Sequence, residues 1–225
     1  MNAVVPQRMN PHLPTAPPHG TLFVVSAPSG AGKTSLVRAL RERRPALQFS
    51  VSYTTRPPRP GEIDGVHYHF VTRDTFERMV AAGEFVEYAR VFENAYGTAE
   101  QALRETLATG ADLVLEIDWQ GARQVRARFP DATTIFILPP SLAVLEERLR
   151  GRGQDSAAVI ARRMAAARDE LSHYSEYDYL IVNDCFERAL ADLDSIVHVQ
   201  ELRCARQAQR LDATLAALLT ATDHD

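Results

Sequence analysis

Lysine is almost missing from this chain: of its 25 basic residues 24 are arginine, and the one lysine is Lys33. A chain that writes arginine nearly everywhere keeps a compact ammonium where a planar guanidinium does not fit; the bland alternative is nucleotide bias and chance. Cysteine is scarce too. Cys185 and Cys204 are the only two, too few for a disulfide framework, and no Cys/His run has zinc-ligand spacing, so a reducing, cytoplasmic setting is expected. Apolar runs stop at strand length, and no basic segment followed by an apolar one opens the chain. Neither a spanning helix nor a signal peptide is therefore expected. An excess of one charge is also lacking: 25 basic against 29 acidic residues give −4. That argues against a protein whose main task is coating nucleic acid or an anionic membrane. What is present, 225 residues that are 45% hydrophobic and 24% charged, suits one globular domain, alone or with a mobile appendage. Disordered, collagen-like and coiled-coil classes are excluded.

Residues 1–19 hold Pro6, Pro11, Pro14, Pro17 and Pro18 with little apolar periodicity and read as a Pro-rich, disordered leader. Residues 21–26 then read as a strand, which breaks into a loop and passes into a helical pattern over 35–44 that Pro45 ends. Buried strands are expected over 112–117 and 133–138, with a helix over 120–128 between them. Helices follow over 141–150 and 155–172, then a strand over 179–182 and one long amphipathic helix over 186–219. Strands alternating with helices imply an α/β fold, a parallel sheet covered on both faces. Residues 48–54 and 67–71 look different, short β-like pieces around a Pro/Gly turn at 57–61, and read as a mixed insertion. His67 and His69 share a face there without a third metal-ligand candidate, and His173 reads as surface or packing.

The loop is Ala27-Pro-Ser-Gly-Ala-Gly-Lys-Thr34, the pattern G-x-x-x-x-G-K-[ST] with Ala27 in place of the first glycine. It follows a strand and opens a helix, so backbone N–H groups converge on an anion. Lys33 adds a point charge for the outer phosphates and Thr34 a hydroxyl for Mg²⁺. Ala27, Pro28, Ser29, Gly30, Ala31, Gly32, Lys33, Thr34 and Ser35 are thus assigned to a nucleoside triphosphate. GTPase, ATPase motor and small-molecule kinase remain open at this point.

The next segment decides. Ser52-Tyr-Thr-Thr-Arg-Pro-Pro-Arg-Pro-Gly-Glu62 sets Arg56 and Arg59 on a proline-braced turn suited to clamping a phosphate dianion. Together with Gly65, Tyr68, Glu84-Phe-Val-Glu87, Tyr96-Gly-Thr98, Ile117-Asp-Trp-Gln-Gly121, Pro139-Pro-Ser141, Arg148, Gly151-Arg-Gly153 and Ile181-Val-Asn-Asp184, it resembles the bacterial guanylate kinases, from about residue 20 to about residue 210. The resemblance implies a kinase that moves the γ-phosphoryl of ATP to GMP with Mg²⁺, supplying purine nucleotides and recycling GMP, with dGMP as a second acceptor. It implies that Arg56, Arg59, Tyr68 and Tyr96 hold the GMP phosphate and that Ser52, Glu87, Thr98 and Asp118 read guanine. It further implies a lid that brings Arg148, Arg152 and Arg163 to the transferring phosphates, with Asn183 near adenine. Arg148 and Arg152, four apart, are expected on one helical face. The implied organisation is a P-loop NTPase-like core over 20–47, 99–147 and 173–225, a GMP-binding region over 48–98 and a helical lid over about 148–172.

Three positions depart from the family pattern: Ala27; Glu116, where Asp is usual and a role near Mg²⁺ or its waters is implied; and Ala95, where a Tyr commonly precedes Tyr96. Two rival readings stand beside this one. A catalytically silent guanylate-kinase-like binding module typically has a degraded phosphate loop, whereas Lys33 and Thr34 are here. A kinase of another phosphorylated acceptor, such as a phosphorylated ribose, would not need polar groups at all four guanine-reading positions. Neither nucleic acid nor membrane is expected as a partner, and a homo-oligomer is left open.

Overall fold

The computed structural model describes residues 19–91, 93–151 and 157–220. Its centre is a five-stranded, fully parallel sheet built from β1 (Leu22–Ser26), β2 (Gln48–Phe49), β7 (Leu113–Glu116), β8 (Thr133–Leu138) and β9 (Tyr179–Val182), in the order β2-β7-β1-β8-β9. Every residue of the central β1 is buried, because helices cover both faces and alternate side chains feed separate cores. Phe23 and Val25 meet Leu36, Val37 and Leu40 of α1 (Lys33–Arg43) and Leu193 and Val197 of α7 (Phe186–Glu201). Leu22 and Val24 meet Leu103 and Leu107 of α3 (Glu100–Ala108) and Ala122 and Val125 of α4 (Trp119–Arg128). The α/β class with a helix-covered parallel sheet is what the sequence predicts.

A smaller mixed sheet, order β4-β3-β6-β5, joins β3 (Tyr53–Thr54), β4 (His69–Phe70), and the antiparallel pair β5 (Phe85–Val91) and β6 (Asn94–Ala99). Its core is Phe76 of α2 (Arg73–Ala81), Phe85 and Ala95. Ala95, the position without the family's usual Tyr, points into this core, and its carbonyl accepts from the hydroxyl of Thr54 at 3.1 Å. Gln48 and Phe49, expected in the insertion, instead pair with Leu113 and Val114 as the edge of the parallel sheet. The insertion starts after them.

Two further expectations change. The single helix over 186–219 is three: α7, α8 (Cys204–Arg210) and α9 (Asp212–Thr220). The chain turns at Leu202 and Arg203 so that Arg206 reaches Asp112 at 2.7 and 2.9 Å, and Gln207 donates to the Glu201 carbonyl at 2.9 Å, capping the end of α7. Neither glycine nor proline stands at 202 and 203 to mark this turn in the sequence. α5 (Leu142–Arg150) ends at Arg150 with Gly151 as its cap, and Arg152 lies outside the described residues. The shared helical face expected for Arg148 and Arg152 thus falls partly outside the described residues. α6 (Ala157–Ser172) packs Ile160, Met164 and Ala167 on Leu145 and Leu149 of α5. His173, which follows α6, stacks on Trp119 at 3.6 Å. Among the described residues no helix is long and apolar enough to cross a membrane. The leader expected over 1–19 lies, except for its last residue, outside the described residues.

Candidate active site

The phosphate loop leaves β1 at Ser26 and enters α1 at Lys33. Gly30 and Gly32 have φ of 94° and 97°, a left-handed region that L side chains avoid. Gly32 has a second constraint: a Cβ there would stand 2.3 Å from Nδ2 of Asn183. That nitrogen donates to the Ala31 carbonyl at 2.7 Å, while Arg148 donates to the same carbonyl at 3.4 Å and to the Asn183 carbonyl at 3.1 Å. Asn183, expected near adenine, and Arg148, expected at the transferring phosphates, thus brace the back of the loop here. Arg163 donates to the Ser29 hydroxyl at 2.7 Å. Thr34 and Ser35 are exposed in the first turn of α1.

Lys33 donates from Nζ to the Ile117 carbonyl at 3.4 Å, just past the end of β7. Burial lowers its ammonium pKa, opposed by the carboxylates of Glu116, Asp118, Glu170 and Glu87. A desolvated ammonium beside open backbone amides is a site for a polyanion.

On the insertion, Arg56 donates to Glu62 at 2.8 Å, and the backbone of Arg59 donates to the other carboxylate oxygen at 2.7 Å. The Arg56 hydrogen bond, helped by the Arg59 amide, pulls the Glu62 carboxyl down to about 2. Glu62 therefore stays ionised, orients the Arg56 guanidinium and pins the backbone at Arg59. The Arg56 guanidinium lies 5.6 Å from the Tyr68 ring, and Tyr68 meets Tyr96 edge-on at 6.0 Å. Arg56, Tyr68 and Tyr96 are thus neighbours in the fold, and Arg59 lines the same cleft as Tyr68.

Deeper in, Thr98 donates its hydroxyl to Glu87 at 2.6 Å, and Ser52 Oγ stands 3.1 Å from Thr98 Oγ1. Glu87 is only 4% exposed. Burial pushes its carboxyl up to about 7, with Asp118 adding to the rise while the Thr98 hydroxyl and Lys33 oppose it. Asp118 Oδ1 caps α4 by accepting from the Gly121 amide at 2.8 Å, which leaves Oδ2 for other use. A cleft of about 750 Å³ unites the halves: Lys33, Thr34 and Glu116 line it together with Ser52, Arg59, Glu62 and Tyr68.

Comparison with known proteins gives the same answer. Residues 19–200 match the model of the guanylate kinase family. The chain is 57% identical over 202 residues to the guanylate kinase of Escherichia coli strain K12, covering 89% of this chain and 98% of that protein. It is 57% identical over 209 residues to that of Chromohalobacter salexigens, covering 92% and 97%. The crystal structure of guanylate kinase from Anaplasma phagocytophilum matches with a TM-score of 0.69 at 34% identity, over 84% of this chain and 89% of that one. This chain belongs to the guanylate kinase family.

Three residues of this guanylate kinase site carry contacts that sequence patterns alone did not assign. Glu62 was visible only as the end of a motif, and its bracing of Arg56 and Arg59 needs the folded turn. A Cβ on Gly121 would stand 2.9 Å from Glu87 Oε2, so the glycine of Ile117-Asp-Trp-Gln-Gly121 clears room for the carboxylate. Glu170 of α6 accepts the Ser29 amide at 3.2 Å, and no local signal marks it.

Proposed function

We propose that the protein is an ATP:GMP phosphotransferase, acting in the cytoplasm on GMP or dGMP to give ADP and GDP or dGDP. The observation that carries this reading is the hydrogen-bonded row Ser52–Thr98–Glu87, whose first member lines the cleft that also holds Lys33 and Thr34. Guanine offers donors at N1–H and its 2-amino group and an acceptor at O6. The Glu87 carboxylate accepts from the first two, the Ser52 hydroxyl, turned from Thr98, donates to the third, and Asp118 adds an acceptor. Arg56, Arg59, Tyr68 and Tyr96 hold the GMP phosphate, the Arg56 guanidinium pre-oriented by Glu62 and the turn at Arg59 fixed by its backbone bond to the same carboxylate.

On the donor side the loop amides and Lys33 take the triphosphate, and Asn183 and Arg148 fix the loop's shape through the Ala31 carbonyl. Phosphoryl transfer asks for positioning and charge neutralisation. Arg163, already on Ser29, is near enough to supply charge, and Arg148 and Arg152 serve the same end as the lid moves over the nucleotide and excludes water. Thr34 and Glu116 offer a hydroxyl and a carboxylate on one cleft wall, an oxygen pair that fits Mg²⁺ shared with phosphate oxygens. That ion neutralises phosphate charge when bound. The working parts are a GMP-binding region over 50–98, a lid over about 148–172 and a core made of the rest.

An assay coupling ADP formation to a visible signal, with GMP, dGMP, AMP, UMP, dTMP and a phosphorylated ribose offered in turn, tests this. Rapid turnover of GMP and dGMP alone is expected. AMP turnover within about tenfold of GMP, or none with GMP, overturns it, since a site built to pair guanine rejects the wrong base by far more.

A further inference from the structure

The phosphate loop is gripped from above by one helix. Glu170 Oε2 accepts the backbone N–H of Ser29 at 3.2 Å, and Arg163, two turns earlier on α6, donates to the Ser29 hydroxyl at 2.7 Å. The same loop residue is held by its backbone and its side chain at once. Apolar packing backs the grip: Leu145 and Leu149, which receive Ile160, Met164 and Ala167 of α6, also stand 3.0 and 3.1 Å from where a Cβ on Gly30 would be. The α5–α6 hairpin and the loop therefore touch at Ser29 and again at Gly30.

Amides at a phosphate loop are oriented for an anion, and this one has a carboxylate. The setting suits that charge poorly. Burial raises the Glu170 carboxyl above its ordinary range; the Ser29 amide and Lys33 oppose the rise, and Asp118 and Asp169 add to it. Lys33 is the cation whose charge opposes the rise, Arg163 stands close by on the Ser29 hydroxyl, and a nucleotide's phosphates need Lys33 too. Entry of several phosphate charges beside Glu170 makes the carboxylate's position less favourable, by repulsion and by competition for the same donors.

We propose, resting on the ATP-dependent reading above, that Glu170 is a positioning residue that reports occupancy of the phosphate loop to the lid. Its carboxylate takes the Ser29 amide while the loop is empty. An arriving triphosphate expels it, which releases one of the two contacts of α6 on Ser29 and leaves that of Arg163. The trigger is the phosphate chain rather than the base, so any linear polyphosphate that fits the loop acts in the same way. ATP must displace Glu170 to bind, and its affinity is lower by that amount; GMP, which meets the cleft at Ser52 and Tyr68, does not have to.

Calorimetric titration of the full chain with Mg²⁺ and without GMP tests this, using ATP and inorganic tripolyphosphate as probes. Glu170→Ala removes the contact, and Glu170→Gln keeps an acceptor oxygen without charge. Both should bind both probes more tightly, about five- to tenfold for Glu170→Ala and less for Glu170→Gln, with GMP affinity within about twofold of wild type. Unchanged or weaker binding of both probes overturns the proposal, as does a gain confined to ATP. A merely structural role would weaken ATP and GMP alike and lower the melting temperature. Wild-type protein supplies a check that needs no folded variant: deuterium uptake over residues 159–170 should quicken when tripolyphosphate binds, and unchanged or slower uptake counts against the proposal. Because binding is read without turnover, a chain that binds ATP yet fails to phosphorylate GMP sinks the reading of the previous subsection and leaves this result standing.

Discussion

Glu87 holds a carboxyl where charge is poorly tolerated, and its titration reaches the physiological range. In the free protein its pKa lies at about 7 because burial disfavours the anion. The neutral form is thus the comfortable one: its share of fold stability is complete below the ordinary carboxylate range and is lost as pH rises through about 7. Guanine asks for the opposite form, since its N1–H and 2-amino donors need an ionised acceptor. KM for GMP is therefore expected to rise below pH 7 by up to about tenfold per unit while KM for ATP stays flat. Glu87→Gln should abolish that slope, and a slope that survives in the variant contradicts the assignment. Lys33 gives a second test at this scale. Lys33→Arg keeps the charge but replaces a compact ammonium, already desolvated beside Ile117, with a wider planar group. It should fold with an unchanged melting temperature and lose most of its kcat; near-normal turnover would show that charge alone suffices there.

At the scale of elements, α4 and α8 carry separable predictions. Gly121 lies in the first turn of α4, where alanine would favour the helix by about 1 kcal/mol. Its Cβ would however stand 2.9 Å from Glu87 Oε2 and 3.3 Å from Ile117. Gly121→Ala should stay folded, raise KM for GMP about tenfold or more, and leave KM for ATP alone; unchanged GMP kinetics would mean that the carboxylate shifts freely. Arg206→Ala strips Asp112, which is 9% exposed and also accepts the Thr21 amide at 2.6 Å, of its charged partner. A loss of about 2 kcal/mol in urea unfolding is expected, with kinetics preserved. These elements also mark how far the sequence could be read. The buried strands and the helices between them stand out because each has a continuous apolar run or stripe. α2, α3 and the β5–β6 pair did not, since α3 buries only Leu103 and Leu107 and has no side-chain cap, and β5 mixes Glu87 and Arg90 into its apolar residues. The end of α7 carries neither glycine nor proline, so the break that lets Arg206 reach Asp112 leaves no local sign.

Across the whole molecule, the site belongs to neither sheet alone. The parallel sheet supplies the phosphate loop, Lys33 and Glu116 at the ends of its strands, the mixed sheet supplies Thr98 and Glu87, and Ser52 lies just before β3, the cleft joining the two. What could be read of this from the sequence was local: a loop with strand before and helix after, two arginines on one turn, polar residues at matched motif positions. What could not be read joins distant positions. Asn183 reaches Ala31 across 152 residues and Glu170 reaches Ser29 across 141, separations at which spacing says nothing about contact. The central claim is that the row ending at Glu87 reads guanine in a phosphoryl transfer supported by Lys33. Its most direct measurement is kcat/KM for GMP divided by that for AMP, in wild type and in Glu87→Gln. A ratio on the order of 10⁴ in wild type, falling steeply in the variant through loss of GMP efficiency, is the predicted result. A wild-type ratio below about ten, or one that the substitution leaves unchanged, would contradict it.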